Sequence, residues 1–101
     1  MPVPLQFDAC RTRGGSIVVV VQSDLLEETA TRVVVPLVKE GRSGRGLRSL
    51  NPEIVVGGVP LILLPQQLAT ITVREVAEII ANVAPERDRI TRAVDALLSG
   101  I

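Results

Sequence analysis

Short runs of β-branched and aliphatic residues, separated by glycine and proline, are the feature that most constrains how this 101-residue chain folds. The chain contains sixteen Val, twelve Leu and eight Ile, but Phe7 is its single aromatic residue. Such runs are typical of buried strands, because branched side chains pack well on a pleated sheet. The length suits one domain spanning residues 1–101. The sequence therefore predicts a mainly β domain with an aliphatic interior.

The order of these runs predicts six strands followed by a helix. Residues 3–10 alternate between apolar and polar and predict a first strand, which a glycine-containing turn joins to a buried strand at 17–21. Further strands are expected at 32–38, 53–56, 59–64 and 70–76, although a helix could also start within 76–83. Pro36 places its strand at an edge or a bulge.

The C-terminal residues predict an amphipathic helix. Pro85 suits the first helical position, and apolar residues recur at intervals of three and four from Ile90 to Leu98. Gly100 is expected to end the helix in a left-handed conformation. One helix is therefore expected to pack on the sheet.

Composition excludes several kinds of function. With no His and one Cys, the chain cannot build a Ser-His-Asp triad, a His or Cys zinc site, or a histidine general base. Cys10, on the polar side of the first predicted strand, is not expected to be a nucleophile. The lack of aromatic side chains excludes the stacking surfaces that bind single-stranded nucleic acids. These absences favour a binding protein over an enzyme, and no catalytic residue is expected.

Charge is balanced over the chain but not along it. Eleven basic and eleven acidic residues give a net charge of +0, so no overall field attracts DNA or an anionic membrane. Residues 39–48 nevertheless carry an excess of three positive charges, from Lys39, Arg42, Arg45 and Arg48 against Glu40. This segment is interpreted either as a solvated, flexible loop or as a binding site for an acidic peptide. A nucleotide-binding loop is disfavoured, because no Gly-Lys-Ser/Thr closes the glycine-rich stretch.

Hydropathy predicts a cytoplasmic oligomer. The N-terminus lacks the charged and apolar regions of a signal peptide, and the longest apolar run, 17–21, is far shorter than the ~20 residues of a membrane span. The mean hydropathy of +0.39 is high for a small domain, and a buried subunit interface would account for it.

Two apolar features have no evident place in the predicted core. Leu25 and Leu26 follow a polar turn, and residues 98–101 form an apolar chain end. Each either folds back into the core or faces outward, and if both face outward together they form a patch for a partner.

Three segments carry a family resemblance. The sequence reads VQSDLL at 21–26, RVVVPL at 32–37 and ITRAVDALLSGI at 90–101. Together with the chain length, these segments resemble the CcdB family of plasmid-maintenance toxins over essentially the whole chain. The resemblance implies an SH3-like, partly open β-barrel of the CcdB/MazF kind, with a C-terminal helix and a two-fold homodimer.

The resemblance also implies a function and its partners. Members of the family are toxins of type II toxin-antitoxin systems that bind the DNA gyrase A subunit and trap gyrase on cleaved DNA. The toxin is expected to perform no chemistry and to need no cofactor or metal. A CcdA-like antitoxin is expected to neutralise it, and the pair to repress its own operon, so that the toxin reaches DNA only through this complex.

Site residues follow from the same resemblance. The gyrase-binding set is expected to be Leu25, Leu26, Asp95, Leu98, Ser99, Gly100 and Ile101. The best-known family pattern has Asn, Phe and Trp where this chain has Asp95, Leu98 and Ser99, so the tryptophan that stacks on a gyrase arginine is missing. The antitoxin site is predicted instead from charge: an acidic, disordered antitoxin segment is expected to bind Arg42, Arg45 and Arg48.

Two other interpretations stay open. The same barrel serves MazF-like endoribonucleases, so an RNA-cleaving toxin is the enzymatic alternative. The other is a degenerate homologue that only binds antitoxin, and the residue that indicates it is Ser99, which stands in place of the family tryptophan.

Overall fold

The computed structural model describes residues 3–40 and 50–100 of the chain. The strands in these ranges are β1 (Asp8–Thr12), β2 (Ile17–Val20), β3 (Thr31–Val38), β4 (Glu53–Val56), β5 (Val59–Leu63), β6 (Ala69–Thr72) and β7 (Val76–Asn82). The helix α1 spans Arg87–Ser99, and short 3₁₀ turns lie at Asp24–Leu26, Pro65–Gln67, Val73–Glu75 and Ala84–Glu86. None of the described helices is long and apolar enough to cross a membrane.

The strands form one antiparallel sheet in the order β4-β5-β3-β2-β1-β7, with β6 also paired to β3. One edge of β3 pairs with β2, and its other edge pairs with β6 at residues 31–34 and with β5 at residues 37–38. Sharing that edge between two strands splits and curls the sheet. The predicted fold class, a mainly β, SH3-like, partly open barrel with one C-terminal helix, is confirmed.

Two aliphatic cores lie on the two faces of the sheet. The first packs Ala9, Val19 and Val35 against Ile90 and Ala93 of α1. The second is built from the neighbouring residues of the same strands and is completed by β7: Cys10, Val18, Val20, Val34 and Val76. Successive strand residues point to opposite faces, so one valine-rich strand supplies both cores.

The hairpins and the end of the helix agree with the sequence-based predictions. β1 pairs with β2 across a turn in which Gly15 has a φ of 93°. β4 pairs with β5 across Gly57 and Gly58, whose φ values of 57° and 84° suit a two-residue hairpin turn. Gly100 ends α1 with a φ of 74°. The helix itself begins at Arg87, because Pro85 lies in the preceding 3₁₀ turn.

Pro36 lies in the central strand, so its predicted place at an edge or a bulge is wrong. Pro36 is paired with Val18 of β2, and its carbonyl accepts a hydrogen bond from the Leu64 N–H at 3.0 Å. In an antiparallel strand, the nitrogen and the carbonyl of one residue point to the same side. The missing N–H of Pro36 therefore faces the junction between the β5 and β6 pairings, where it costs no ladder hydrogen bond.

The first and last predicted strands also differ from the structure. β1 begins only at Asp8, because Phe7 has a φ of 67° and reverses the chain before it. The predicted strand at 70–76 ends at Thr72, and residues 76–82 form the separate strand β7 rather than a helix. β7 pairs with β1 along its length, so tertiary pairing determines the structure of a segment whose local pattern is ambiguous.

Cys10 lies inside the second core and not on a polar face. Its side chain is fully buried, and this burial, with a smaller contribution from Asp8, raises the pKa of the thiol to about 12 from 9.0. The raised pKa means that the folded protein disfavours the thiolate, the form in which cysteine is a nucleophile.

The Cys10 pKa predicts a loss of stability in alkali. Stability from the neutral thiol is fully present below the unfolded pKa of 9.0 and is lost as the pH rises towards about 12, because only the unfolded chain then ionises freely. Between about pH 8 and about pH 10, wild type should lose about 1.4 kcal/mol more unfolding free energy than Cys10→Ala. Urea unfolding at both pH values measures this, and equal losses in the two proteins would contradict it.

Candidate functional site

Leu25 and Leu26 lie on the surface in the 3₁₀ turn between β2 and β3, which we call the leucine turn (Asp24–Leu26). Their exposed fractions are 94% and 55%. Exposed leucines are common on protein surfaces, so exposure alone does not mark a site. The distinguishing feature is the network of hydrogen bonds that fixes the backbone beneath them.

The side chains before the leucine turn hold its backbone. The Ser23 Oγ accepts a hydrogen bond from the Leu25 N–H at 3.2 Å. The Gln22 Nε2 donates to the Leu26 carbonyl at 3.2 Å, and the Gln22 Oε1 accepts from the Val33 N–H at 3.1 Å. Side chains of this kind stabilise turns by replacing backbone partners. The VQSD segment is thus the part of the sequence that presents the two leucines.

The leucine turn is also tied to the N-terminal segment. The Asp24 Oδ1 accepts a hydrogen bond from the Gln6 N–H at 2.7 Å. Val3 and Leu5 lie in the same segment and are 62% and 38% exposed. The apolar surface at the leucine turn therefore has neighbours that sequence reasoning missed, because the contact joins residues 18 positions apart.

The end of α1 is the second predicted apolar feature, and it too faces outward. Leu98 is 73% exposed, and Asp95, Ser99 and Gly100 are exposed beside it. The Ser99 Oγ donates to the Asp95 carbonyl at 2.6 Å within the helix. Ile101, the last member of the predicted set, lies outside the described residues.

The two apolar features lie on different elements of the fold: the leucine turn lies between β2 and β3, and Leu98 lies near the end of α1. α1 packs on the first core and on the 3₁₀ turns Pro65–Gln67 and Ala84–Glu86, and the leucine turn is not among its main contacts. The described members of the predicted set are exposed on both elements, and their joint role stays a prediction.

A cleft of about 980 Å³ lies beside the β1–β2 hairpin, and sequence reasoning did not find it. Its floor is apolar, with Val18, Pro36 and Ile71 among the lining residues. Its polar lining consists of Arg11, Thr12, Arg13, Ser16, Lys39, Gln67 and Glu75. The signal in the sequence was the pair of arginines at 11 and 13 before the first glycine-containing turn.

Arg11 and Arg13 are held in place at this cleft. The Arg11 Nε contacts the Glu78 Oε1 at 2.9 Å, and the Arg13 Nε donates to the Arg74 carbonyl at 2.6 Å. Guanidinium groups bind carboxylates and phosphates through charge-assisted hydrogen bonds. The cleft is therefore suited to an anionic ligand with apolar parts.

Lys39 connects the cleft to the predicted cationic loop. It lines the cleft one residue after the end of β3, where that loop begins. Arg42, Arg45 and Arg48, the predicted antitoxin-binding residues, lie outside the described residues and stay a prediction. Within residues 3–40 and 50–100, no cluster of acidic or cysteine side chains is suited to hold a metal ion.

Comparison with known proteins identifies a family and a fold. The family model described as CcdB protein matches residues 6–100. An endoribonuclease from Mycobacterial species superimposes with a TM-score of 0.77 at 18% identity, over 97% of this chain and 93% of that one. An endoribonuclease in complex with its cognate antitoxin, also from Mycobacterial species, superimposes with a TM-score of 0.75 at 18% identity, over 97% of this chain and 95% of that one. A search of curated proteins found no match.

These comparisons contradict the prediction that the protein is not an enzyme. Both solved structures are of endoribonucleases, so the fold carries catalysis in those proteins. The prediction was wrong on this evidence: it rested on composition and on the family resemblance, and the absence of His excludes only chemistry that depends on imidazole. Arginine, carboxylate and hydroxyl groups also stabilise charge and transfer protons.

Proposed function

This chain belongs to the CcdB family of toxins, and we propose that it acts by binding the A subunit of DNA gyrase. The observation that carries the proposal is the leucine turn, in which two leucines are held outward by side chains of the VQSD segment. That segment is among those in which the sequence resembles the family. Surface plasmon resonance with immobilised gyrase A subunit tests the proposal: saturable binding is expected, and no binding would contradict it.

The exposure of the leucines determines how they contribute to binding. Leu25 is 94% exposed in the free protein, so nearly all of its side-chain surface remains to be buried by a partner. Burying a leucine fully contributes about 1.5–3 kcal/mol. Because the backbone of the turn is already fixed, little of this free energy is spent on ordering it.

A second copy of the chain completes the proposed toxin. The described surface has further exposed apolar side chains outside the leucine turn and α1, among them Leu68 and Ile79. A two-fold homodimer would cover part of this surface and present two leucine turns to a symmetric target. Sedimentation equilibrium measures the mass, and a monomer at micromolar concentration would contradict the dimer.

The antitoxin is proposed to bind in the cleft. An acidic segment with apolar side chains matches a floor of Val18 and Ile71 beneath the cations Arg13 and Lys39. Arg42, Arg45 and Arg48, which follow Lys39 in the sequence, stay the predicted antitoxin-binding residues. Charge complementarity of this kind favours fast and specific association.

The Ser99→Trp substitution should strengthen gyrase binding. Ser99 is exposed at the end of α1, so the indole can be accommodated without disturbing the core. A tryptophan stacked on a gyrase arginine contributes roughly 0.5–2 kcal/mol, which corresponds to about two- to thirtyfold in affinity.

The Ser99→Leu substitution is the matched control, because it adds apolar surface at the same position without an aromatic ring. The surface plasmon resonance measurement compares both variants with wild type. A Ser99→Trp protein that binds no more tightly than Ser99→Leu would contradict the proposed stacking.

RNA cleavage in the cleft is a second candidate function, and the fold shared with two endoribonucleases favours it. In such a reaction the ribose 2′-oxygen attacks phosphorus and the bond to the 5′-oxygen breaks. Glu75 and Arg13 both line the cleft; in this candidate Glu75 would accept the 2′-hydroxyl proton and Arg13 would stabilise the charged phosphorane, while water protonates the leaving oxygen.

Incubation of the protein with RNA alone tests this candidate. Fragments that end in a cyclic phosphate, and that disappear with Arg13→Ala and with Glu75→Gln, would support it. Intact RNA at high protein concentration would contradict it, as would cleavage that survives both substitutions.

A further inference from the structure

Arg32 is buried next to the leucine turn, although nothing in the sequence marked it as functional. Its exposed fraction is 2%. The Nε donates to the Pro4 carbonyl at 2.9 Å, and the terminal nitrogens donate to the carbonyls of Glu27, Thr29 and Thr31 at 2.8 Å each. One guanidinium thus binds four backbone carbonyls.

The partners of this guanidinium are unusual for a buried charge. Buried charges are normally paired with an opposite charge, and none of the ion pairs among the described residues involves Arg32. Its donors instead bind two segments that adjoin the leucine turn: Pro4 lies in the N-terminal segment, which also contacts Asp24, and Glu27 and Thr29 come soon after Leu26. The arrangement joins two segments that no strand pairing connects.

We propose that Arg32 is a positioning residue that fixes the leucine turn for binding to gyrase. The proposal rests on the proposed function. Its Nε donates to Pro4 and its terminal nitrogens donate to Glu27 and Thr29, while Gln22 holds the Leu26 carbonyl from the side of β2. Removing the guanidinium deprives the residues after Leu26 of three hydrogen bonds, while the start of the turn keeps those of Asp24 and Ser23.

Loss of Arg32 should increase the mobility of the leucine turn more than it destabilises the two aliphatic cores. Glu27 and Thr29 are exposed residues, so their carbonyls can turn to water once the guanidinium is gone. The two aliphatic cores do not include Arg32. The turn then populates other conformations, and gyrase must order it on binding, which lowers the affinity.

The test uses Arg32→Met, with Leu61→Ala as a control. Leu61 is buried in the first core on β5, so its truncation lowers the melting temperature without touching the leucine turn. Amide exchange by NMR is read at Leu26, Glu27 and Thr29, whose N–H groups bond within the turn. At conditions of equal global stability, exchange at these amides should be about tenfold or more faster in Arg32→Met than in the control.

Gyrase affinity is measured on the same proteins by surface plasmon resonance. Arg32→Met should bind about tenfold or more weakly than the control, and Arg32→Lys, which keeps the charge but not the planar fork, should fall between Arg32→Met and wild type. Arg32→Lys also serves if Arg32→Met does not fold.

The two readouts separate the two proposals. Unchanged exchange at the turn amides, or equal gyrase affinity in Arg32→Met and the control, would overturn the role of Arg32. Failure of wild type to bind gyrase would overturn the proposed function instead, and the exchange result, which needs no gyrase, would still decide whether Arg32 fixes the turn.

Discussion

Leu25→Asp should abolish gyrase poisoning while the protein remains folded. The side chain is 94% exposed, and substitutions at such positions change stability by about 0.5 kcal/mol or less. Binding loses the burial of the leucine and must in addition remove water from a carboxylate. Together these effects predict an affinity lower by about a hundredfold to a thousandfold.

Val59→Asp is the matched control for this prediction. Val59 is also a large apolar residue, 47% exposed, but it lies at the start of β5 and not on the leucine turn. Growth of cells expressing each variant without antitoxin, together with the gyrase affinity, measures the effect. If Leu25→Asp stays as toxic as Val59→Asp, the leucine turn is not the gyrase-binding surface.

Reversing two charges at the cleft should weaken antitoxin binding by about a hundredfold to a thousandfold, because like charges facing each other across an interface cost several kcal/mol. The substitutions are Arg13→Glu and Lys39→Glu, both at exposed residues that line the cleft. Gyrase affinity should stay close to wild type, since neither residue belongs to the leucine turn or α1. Isothermal titration with the cognate antitoxin measures the loss.

Arg87→Glu with Arg92→Glu makes the same change in net charge on the outer face of α1. This control separates an effect at the cleft from a general effect of charge. The affinity of wild type for the antitoxin should also fall as salt is added, because salt screens the attraction between opposite charges. The affinity of the cleft variant should fall less, because it has lost two of the attracting charges. Equal antitoxin affinity in the two double variants would show that the antitoxin binds elsewhere.

Local pattern was sufficient to predict much of the fold. The β-branched runs at 17–21 and 53–56 became strands, and glycines with positive φ form the turns that their positions predicted. Gly100 ended the helix in the predicted way. These features depend on residues within a few positions of one another, so a single sequence contains the information.

The errors arose where distant residues decide the structure. Pro36 fits a central strand only because β5 and β6 divide the facing edge, and residues 76–82 are a strand because β1 pairs with them. Cys10 alternates with apolar neighbours but is buried, since the second core uses the face that was taken as polar.

The candidate site was likewise only partly predictable. Leu25 and Leu26 were found because two leucines next to a polar turn are conspicuous in a sequence. Arg32 and Gln6 were missed because their partners lie 28 and 18 residues away. The cleft was missed because it is assembled from several strands and turns. In the sequence, Arg11 and Arg13 look like ordinary surface residues.

The most direct test of the gyrase proposal is a DNA cleavage assay with purified gyrase from the source organism, ATP and supercoiled plasmid. Wild-type toxin should produce linear DNA when the reaction is stopped with detergent and protease, and Leu25→Asp should not. Toxin that kills cells but yields no linear DNA at saturation would contradict the proposal and direct attention to RNA. Toxin that does neither would indicate a homologue that only binds antitoxin.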